Sequence, residues 1–300
     1  MYGRALVLAL GLLAALPGCE EAGGVASRPA APAPPRRILP ANASAVDFVL
    51  ALVEPVRVVS IPRTTSQFAR DLPQLADWDP ARTFGVYETE TVLALDPDLV
   101  ITHAWQSPQT TALLRERGLR VVEIPTVERF DDVLATIDLL GQVLAARERA
   151  AGLRAELEAR RDALAADDGR RALRALSYTN LGVGGWTAGA GTTADVVIGL
   201  AGMQNAAAQG GRRSHYQIDI ERLLELDPDV IVVGAEDGAA FGAAAAYLAH
   251  EPALRHLAAV REGRVVELSA DLFATNSFHL LSAAEVLARA VERLFPTPPR

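Results

Sequence analysis

The chain carries the string Leu95-Asp96-Pro97-Asp98-Leu99-Val100-Ile101-Thr102 and repeats its Leu-Asp-Pro-Asp start and apolar run as Leu226-Asp227-Pro228-Asp229-Val230-Ile231-Val232-Val233. The likeness extends upstream, where Glu90-Thr91-Val92-Leu93-Ala94 lies opposite Glu221-Arg222-Leu223-Leu224-Glu225. Each copy reads as an amphipathic helix stopped by proline, then a short buried strand. One helix–strand unit used twice, about half a chain apart, constrains the fold to two similar α/β lobes. Two copies at so long a spacing do not make a solenoid. Two lobes imply a cleft, the usual place for a small molecule.

The first residues read as an export signal: Arg4 is the basic region, and the apolar stretch from Ala5 to Leu16 falls short of the roughly 20 residues that span a bilayer. It ends in Leu16-Pro17-Gly18-Cys19, which resembles a bacterial lipobox, although Pro17 is unusual at its position. The alternatives are an ordinary secretory signal or an uncleaved anchor. Cys19 is the single cysteine, so no intramolecular disulfide forms, and acyl chains on it would hold the protein at a membrane. Residues 20–35, rich in Ala and Pro, read as an extended tether. The expected organisation is signal and lipobox over 1–19, tether over 20–35, N-terminal lobe over 36–146, interlobe helix over 147–168 and C-terminal lobe over 169–300. The net charge of −8 argues against a nucleic-acid partner. Lysine is absent and arginine supplies every fixed cation, which reads as coding bias.

Helix and strand patterns alternate throughout, which implies mostly parallel sheets with helices on both faces. Helices are expected over Ser44–Leu52 with Ser44 as N-cap, Ser107–Arg117, Thr192–Ala201, Ile218–Leu226, Pro252–Val260 and Leu280–Leu294. Strands are expected over Val56–Ile61, Leu99–Thr102, Leu119–Ile124, Ala172–Tyr178, Val230–Val233 and Arg264–Leu268. Phe130–Ala166 is a long helical stretch with expected breaks at Gly141 and Gly152, its second part bridging the lobes. Gly182–Gly191 reads as a glycine-rich loop.

The repeated E-x-x-L-x-L-D-P-D unit, the stretch TAGAGTTADVVIGLAGMQNAA at 187–207, and the order lipobox, tether, lobe, long helix, lobe together resemble a known family. It is the helical-backbone class of ABC-importer substrate-binding proteins that deliver vitamin B12, ferric siderophores or haem. The likeness covers most of residues 36–295. It implies an α/β fold of two Rossmann-like lobes with mostly parallel sheets joined by one long interlobe helix, the class III periplasmic-binding-protein fold. It also implies a rigid clamp with little closure. The expected partners are a bulky metal chelate, an ABC permease and through it an ATPase, and the membrane through the lipid anchor. The protein is expected to be a monomer at the extracytoplasmic face. No cofactor is expected beyond cobalt or iron inside the ligand.

Cleft residues belong at the C-terminal ends of strands. This marks Arg63, with Thr64, Thr65 and Ser66; His103, Trp105 and Gln106; Thr179, Asn180 and Trp186; Glu236 and Asp237; and Asp271, Phe273, Asn276 and His279. Tyr87, Arg212, Arg213, His215 and Tyr216 are placed near the lobe entrance. Trp105 and Trp186 suit flat contact with a conjugated ligand, against the plainer reading of core packing. Trp78 reads as a cap on the lobe surface. Arg63, Arg212 and Arg213 suit a carboxylate or phosphate, against the reading of solvated loop residues. Glu90 and Glu221 occupy equivalent places in the repeat. The resemblance makes them permease-docking residues, whereas periodicity alone makes them helix-start glutamates favoured by the helix dipole.

No pair among the five histidines has helical metal-ligand spacing. His103, His215, His279 and Asp271 could converge on zinc or manganese only on paper, and no metal site is expected. Tyr87, His103 and His215 are the candidates for an axial ligand to haem iron. His250 and His256 read as helix-surface residues. Gly189-Ala190-Gly191-Thr192-Thr193-Ala194 fits G-x-G-x-x-A, but its strand–loop–helix context is displaced. No catalytic constellation stands out. The leading expectation is a binding protein for a corrinoid or ferric siderophore, with haem or zinc/manganese binding as the alternative. A secreted enzyme using loop 182–191 or a membrane-bound sensor domain are the competitors from other classes.

Overall fold

The computed structural model describes residues 33–68, 72–165, 170, 172–180, 184–235 and 244–296. In the first lobe, β1 (Ile38–Pro40) leads to helix α1 (Ala43–Leu52), β2 (Ile61–Pro62), α2 (Thr65–Phe68), β3 (Thr83–Phe84), α3 (Thr89–Ala94), β4 (Leu99–His103), α4 (Pro108–Glu116), β5 (Val121–Ile124) and α5 (Phe130–Val143). The strands form a parallel sheet in the order β1-β4-β5 and a parallel pair β2-β3. An isolated bridge between Ile38 and Val58 brings the segment leading to β2 alongside β1.

Helix α6 (Arg147–Ala165) runs from the first lobe towards the second. There β6 (Arg174–Asn180), β7 (Gly185–Ala188), α7 (Thr193–Leu200), β8 (Gln204–Asn205), β9 (His215–Ile218), α8 (Ile220–Leu226), β10 (Val230–Gly234), α9 (Ala244–His250), α10 (Ala258–Arg261), β11 (Val265–Leu268), α11 (Ala270–Phe273) and α12 (His279–Leu294) follow. The sheet order is β11-β10-β6-β7-β9, with β8 beside β6. The contacts of β6 with β10 and β8 are parallel, while β7 is antiparallel to both β6 and β9. The two lobes keep separate sheets.

The repeated unit folds alike in both lobes. Asp96 and Asp227 turn the chain at φ of 47° and 36°, the left-handed region that a short polar side chain tolerates after a helix. An arginine from the strand entrance clamps each corner by donating to the last carbonyls of the helix. Arg37 reaches Asp96 O at 2.5 Å and Leu95 O at 2.9 Å. Arg174 reaches Asp227 O at 3.2 Å and Leu226 O at 2.6 Å. The next aspartate accepts from a backbone N–H, Asp98 from Arg36 at 2.6 Å and Asp229 from Arg174 at 2.8 Å. The Asp-Pro-Asp string is thus a corner-forming device: one aspartate bends the chain and the other ties it to the neighbouring strand.

Several elements differ from expectation. Asn42, not Ser44, caps α1, its Oδ1 accepting from Ala45 N at 2.9 Å. The first two residues of the expected strand Val56–Ile61 fall in a 3₁₀ turn, Pro55–Arg57, because Pro55 cannot join a ladder, and β2 starts only at Ile61. The helix break falls at residues 144–146, with Ala145 at φ 54°, and Gly141 and Gly152 both stay helical. Gly141 is needed for closeness: a Cβ there would lie 2.4 Å from Ala150 Cβ, so α5 and α6 pack backbone to backbone at that point. The expected glycine loop contains strand β7, and β9 (His215–Ile218) takes in Ile218, the expected first residue of the helix, with no strand expected there. Pro252–His256 is 3₁₀, followed by the short α10.

One apolar cluster runs from Phe48, Leu99 and Ile101 through Leu157 of α6 to Val230, Leu280 and Leu287. Phe48 meets Phe278 edge-on at 5.6 Å, and Arg160 of α6 grips Glu285 of α12 with bonds of 3.0 and 2.9 Å. Burial of this kind stabilises by about 25 cal/mol per Å². The lobes therefore share a core along one side.

Candidate functional site

Two contacts join the lobes, and the groove expected between them lies at the strand ends that those contacts flank. At one side α2, which follows β2, packs on α11, which follows β11. At the other, Glu128, which follows β5, accepts a hydrogen bond from Arg213 Nη2 at 2.8 Å. β4 lies between β1 and β5, so the loop after it opens between those two contacts. That loop carries Trp105, 58% exposed and stacked on His103 with ring centres 5.2 Å apart and planes 14° from parallel. Gln106 pins the loop: its Nε2 donates to Ala41 O at 2.9 Å, and its Oε1 accepts from Thr102 Oγ1 at 3.1 Å and from Asn42 Nδ2 at 2.5 Å. A large aromatic face is thereby held out in water by a rigid support.

His103 is only 2% exposed, and neither ring nitrogen has a hydrogen-bond partner. Burial pushes its pKa down to about 4, so it is neutral at pH 7 and backs the indole as a flat apolar plate. It is not open to the groove as an expected ligand contact would be.

The glycine string at 189–191 has a structural explanation. Gly189 N donates to Ser214 O at 2.9 Å, and Ala190 N to Arg212 O at 2.9 Å, so the 212–214 segment lies directly on it. A Cβ at Gly189 would stand 2.5 Å from Arg212 O. Gly191, at φ +72°, leaves space that a Cβ would close to 2.6 Å from Arg213 Nη2. The start of α7 is already filled by a carboxylate: Asp195 Oδ2 accepts from Gly191 N at 3.0 Å, and its Oδ1 from Asn205 Nδ2 at 3.0 Å. A phosphate has no free place there, which disposes of the dinucleotide reading.

The remaining candidates divide. Arg212 is exposed and lies over the Tyr216 ring at 4.8 Å. Tyr216 is half-buried, its hydroxyl donating to Ala207 O at 2.7 Å, and burial pushes its pKa up. His215 is exposed on β9 beside Ala188. Trp186 is half-buried on β7 between Thr179 and Gln217, in a strand where a loop was expected. Asn180 ends β6 half-buried. Tyr87 is a correction: it is 8% exposed in a cluster with Leu39, Phe84 and Leu114, its hydroxyl 3.3 Å from Thr111 Oγ1. It packs the first lobe and does not stand at the entrance. Asp271 is likewise buried, and Phe273 packs against the shared core, so the four residues of α11 serve the junction between lobes more than the groove. Arg63 is exposed but belongs to a separate pocket on the first lobe. Glu236, Asp237 and Cys19 lie outside the described residues.

Glu90 and Glu221 are both exposed in the first turns of α3 and α8, the equivalent positions of the repeat. Among the described residues no cluster of His, Cys, Asp or Glu could hold a metal ion, and no helix is long and apolar enough to cross a membrane.

Sequence reasoning missed Glu128, for which no signal exists, and Asp47. Asp47 sits in an otherwise apolar buried helix, and that isolation was a signal. Its Oδ2 accepts from Ser277 Oγ at 2.6 Å across the lobes. Burial, with Asp271 nearby, pushes its pKa up to about 8.

Comparison with known proteins places this architecture. A cobalamin-binding protein of Halobacterium salinarum is 30% identical over 271 residues, covering 87% of this chain and 68% of that one. A periplasmic haem-binding protein of Pseudomonas aeruginosa superposes with a TM-score of 0.71 at 26% identity, over 88% of this chain and 94% of that one. The periplasmic vitamin B12-binding protein BtuF of Vibrio cholerae superposes with a TM-score of 0.68 at 21% identity, over 87% and 98%, a likeness of fold. The family model for periplasmic binding proteins matches residues 41–272, and the chain belongs to that family.

Proposed function

We propose that this protein captures a corrinoid in the groove between its lobes, outside the cytoplasmic membrane, and hands it unchanged to an ABC permease. The observation that carries the reading is Trp105, a braced and exposed aromatic face between the two lobe contacts. Such a face suits a broad ligand with an apolar surface. The cobalamin-binding relative points to the same ligand class. A corrinoid encloses its own metal and asks the protein for no coordinating group. Of the three candidate axial ligands for haem, Tyr87 is buried and His103 is covered by Trp105, which leaves His215, exposed on β9; the preference for a corrinoid over haem rests on the cobalamin-binding relative. Glu90 and Glu221 on the two lobes serve as the docking points for the permease. The export signal and Cys19 give a lipid-tethered protein that works as a monomer, with no reaction catalysed.

Thermal melts with cyanocobalamin, haemin and ferrichrome test this. A ligand at 100 times its dissociation constant stabilises by about 2.7 kcal/mol, which moves the melting temperature of a chain this size by about 5–10 °C. Cyanocobalamin is expected to give that rise, and Trp105→Ala to weaken its binding about tenfold. A flat melting temperature with cyanocobalamin sinks the corrinoid reading, and a rise with haemin or ferrichrome alone reassigns the groove.

A further inference from the structure

A buried hydrogen bond also joins the lobes, on the side where α2 packs on α11. Asp47 of α1, 2% exposed, accepts from Ser277 Oγ at 2.6 Å, across 230 residues of chain. Ser277 is fully enclosed and held in place: its Oγ lies 3.0 Å from Thr275 Oγ1 and accepts from His279 N at 3.3 Å. Next to this pair in both chains, Phe48 meets Phe278 edge-on. The segment 275–278 is thus plugged onto α1 by one polar and one aromatic contact. The other carboxyl oxygen, Asp47 Oδ1, is buried without a hydrogen-bond partner. An ionised carboxylate in an apolar place asks for several donors, and one hydroxyl is too few. The site as built suits the neutral acid.

Among the described residues, the elements around α1 bring no compensating cation. β1, β2 and α2, which pack on it, carry no ionisable side chain. The acids of α5 pair with Arg129, Arg154 and Arg161. On α6, Arg149 pairs with Glu54 and Arg160 with Glu285 of α12. His103 of β4 lies under Trp105, and the His279 ring rests on Phe278 at 4.5 Å. The charged group that bears on Asp47 is Asp271 of α11, which opposes its ionisation, as burial does more strongly. Behind α11 lies a cavity of about 20 Å³, bordered by Leu268, Leu272 and Phe273, with room for about one water. α11 therefore has slack on the side away from the first lobe. We infer that the Asp47–Ser277 bond is a proton-held latch: the neutral acid keeps the lobes joined at α1, and loss of its proton parts them there, with α11 giving way. An opened junction admits water, so the carboxyl then ionises near its ordinary 3.8, whereas the closed junction holds the proton up to about pH 8. The open-to-closed ratio therefore climbs about tenfold per pH unit across that window and is level on either side of it.

Two spin labels on the full chain test this without any cargo. Cys19→Ser removes the native thiol, and Ala112→Cys on α4 and Arg255→Cys after α9 place one label on an exposed site of each lobe. Double electron–electron resonance at about pH 6, 7 and 8 reads the distance between them. The expected result is a second, separate distance population whose ratio to the first rises about tenfold per pH unit. Asp47→Asn, which keeps the shape and does not ionise, should hold the first distance at every pH. Ser277→Ala should show the second already at pH 6. Far-UV circular dichroism on the same samples should stay constant. A single distance at all three pH values, a pH response that persists in Asp47→Asn, or a second population that appears only as the dichroism is lost each overturns the inference. Because no chelate enters the measurement, failure of the corrinoid reading leaves this result standing, and the reverse.

Discussion

The two Asp-Pro-Asp corners are built from the same kinds of hydrogen bond, an arginine on the helix-end carbonyls and a backbone N–H on the second aspartate, while the strand ends they support differ. After β4 the first lobe presents Trp105 on a loop pinned by Gln106. The second lobe adds the antiparallel strands β7 and β9, which have no counterpart among the described residues of the first. A duplicated unit has kept what every copy needs, namely a bent corner, a clamped helix end and a buried parallel strand. It has diverged at the strand ends, where the first lobe carries the Trp105 loop and the second carries β7 and β9. The equivalent glutamates belong to the retained part: Glu90 and Glu221 are set by the corner geometry and are exposed in both lobes. On this view the shared features answer to a partner that contacts both lobes alike, and the unshared ones to cargo.

The sharpest way to break that comparison is charge reversal. Glu90→Arg and Glu221→Arg are each expected to lower cellular uptake of labelled cobalamin about tenfold, and the pair together to bring it to background, since like charges at a docking surface cost several kcal/mol. Affinity of the purified protein for cobalamin should stay unchanged. Uptake that depends on one glutamate alone would show that the two lobes do not dock as equivalents.

A second test exploits two buried groups outside the repeat that act with opposite sign. The native state holds the proton of Asp47 up to pH about 8, whereas the ordinary value is 3.8. The unfolded chain has lost that proton over the same window, so this group makes stability fall as pH rises from about 4 to 8. His103, lowered from 6.5 to about 4, stays neutral in the native state and makes stability fall as pH drops through that window. Between pH 4 and 6.5 the two slopes oppose each other. Above 6.5 only Asp47 acts, and a decline of about 2 kcal/mol to pH 8 is expected at about 1.4 kcal/mol per pH unit. Asp47→Asn should abolish that decline and expose the acid-side loss due to His103. Urea midpoints at pH 5, 6.5 and 8 decide it. A variant that keeps the alkaline decline would show that Asp47 is already ionised at neutral pH.

Much of this organisation was legible in the sequence, for physical reasons. Proline and aspartate at a fixed place after a helical period specify the corner locally, so the repeat declared two lobes. Apolar four-residue runs declared β4 and β10. The site was less legible because its decisive contacts are long-range. Nothing local tells Glu128 that Arg213 will meet it, or that Tyr87 will turn inward onto Thr111. The glycines at 189–191 suggested a loop with room for a ligand, but the space they leave is taken by the protein's own backbone and by Arg213. β9 was hidden because His215-Tyr216-Gln217-Ile218 has no run of apolar residues to mark a strand.

The smallest expected effect concerns the corner itself, where the two lobes are most alike. Arg174 and Arg37 make the same pair of bonds to helix-end carbonyls, but Arg174 is half-buried and its Nε is enclosed without a partner, whereas Arg37 is 51% exposed at its side chain. Removing Arg174 leaves the Leu226 carbonyl, whose bond is partly buried, short of a partner that water does not readily replace, while the Asp227 carbonyl is open to solvent. Removing Arg37 opens Leu95 and Asp96 to solvent, which satisfies them. Arg174→Ala is therefore expected to lower the unfolding free energy by about 1–2 kcal/mol, and Arg37→Ala by about 0.5 kcal/mol or less. Urea denaturation of the two variants side by side measures the difference. Equal losses would mean that the corner's worth lies in its hydrogen bonds alone. Unequal losses in the expected order would mean that burial around the corner, which the repeat does not encode, fixes how much the same bonds contribute.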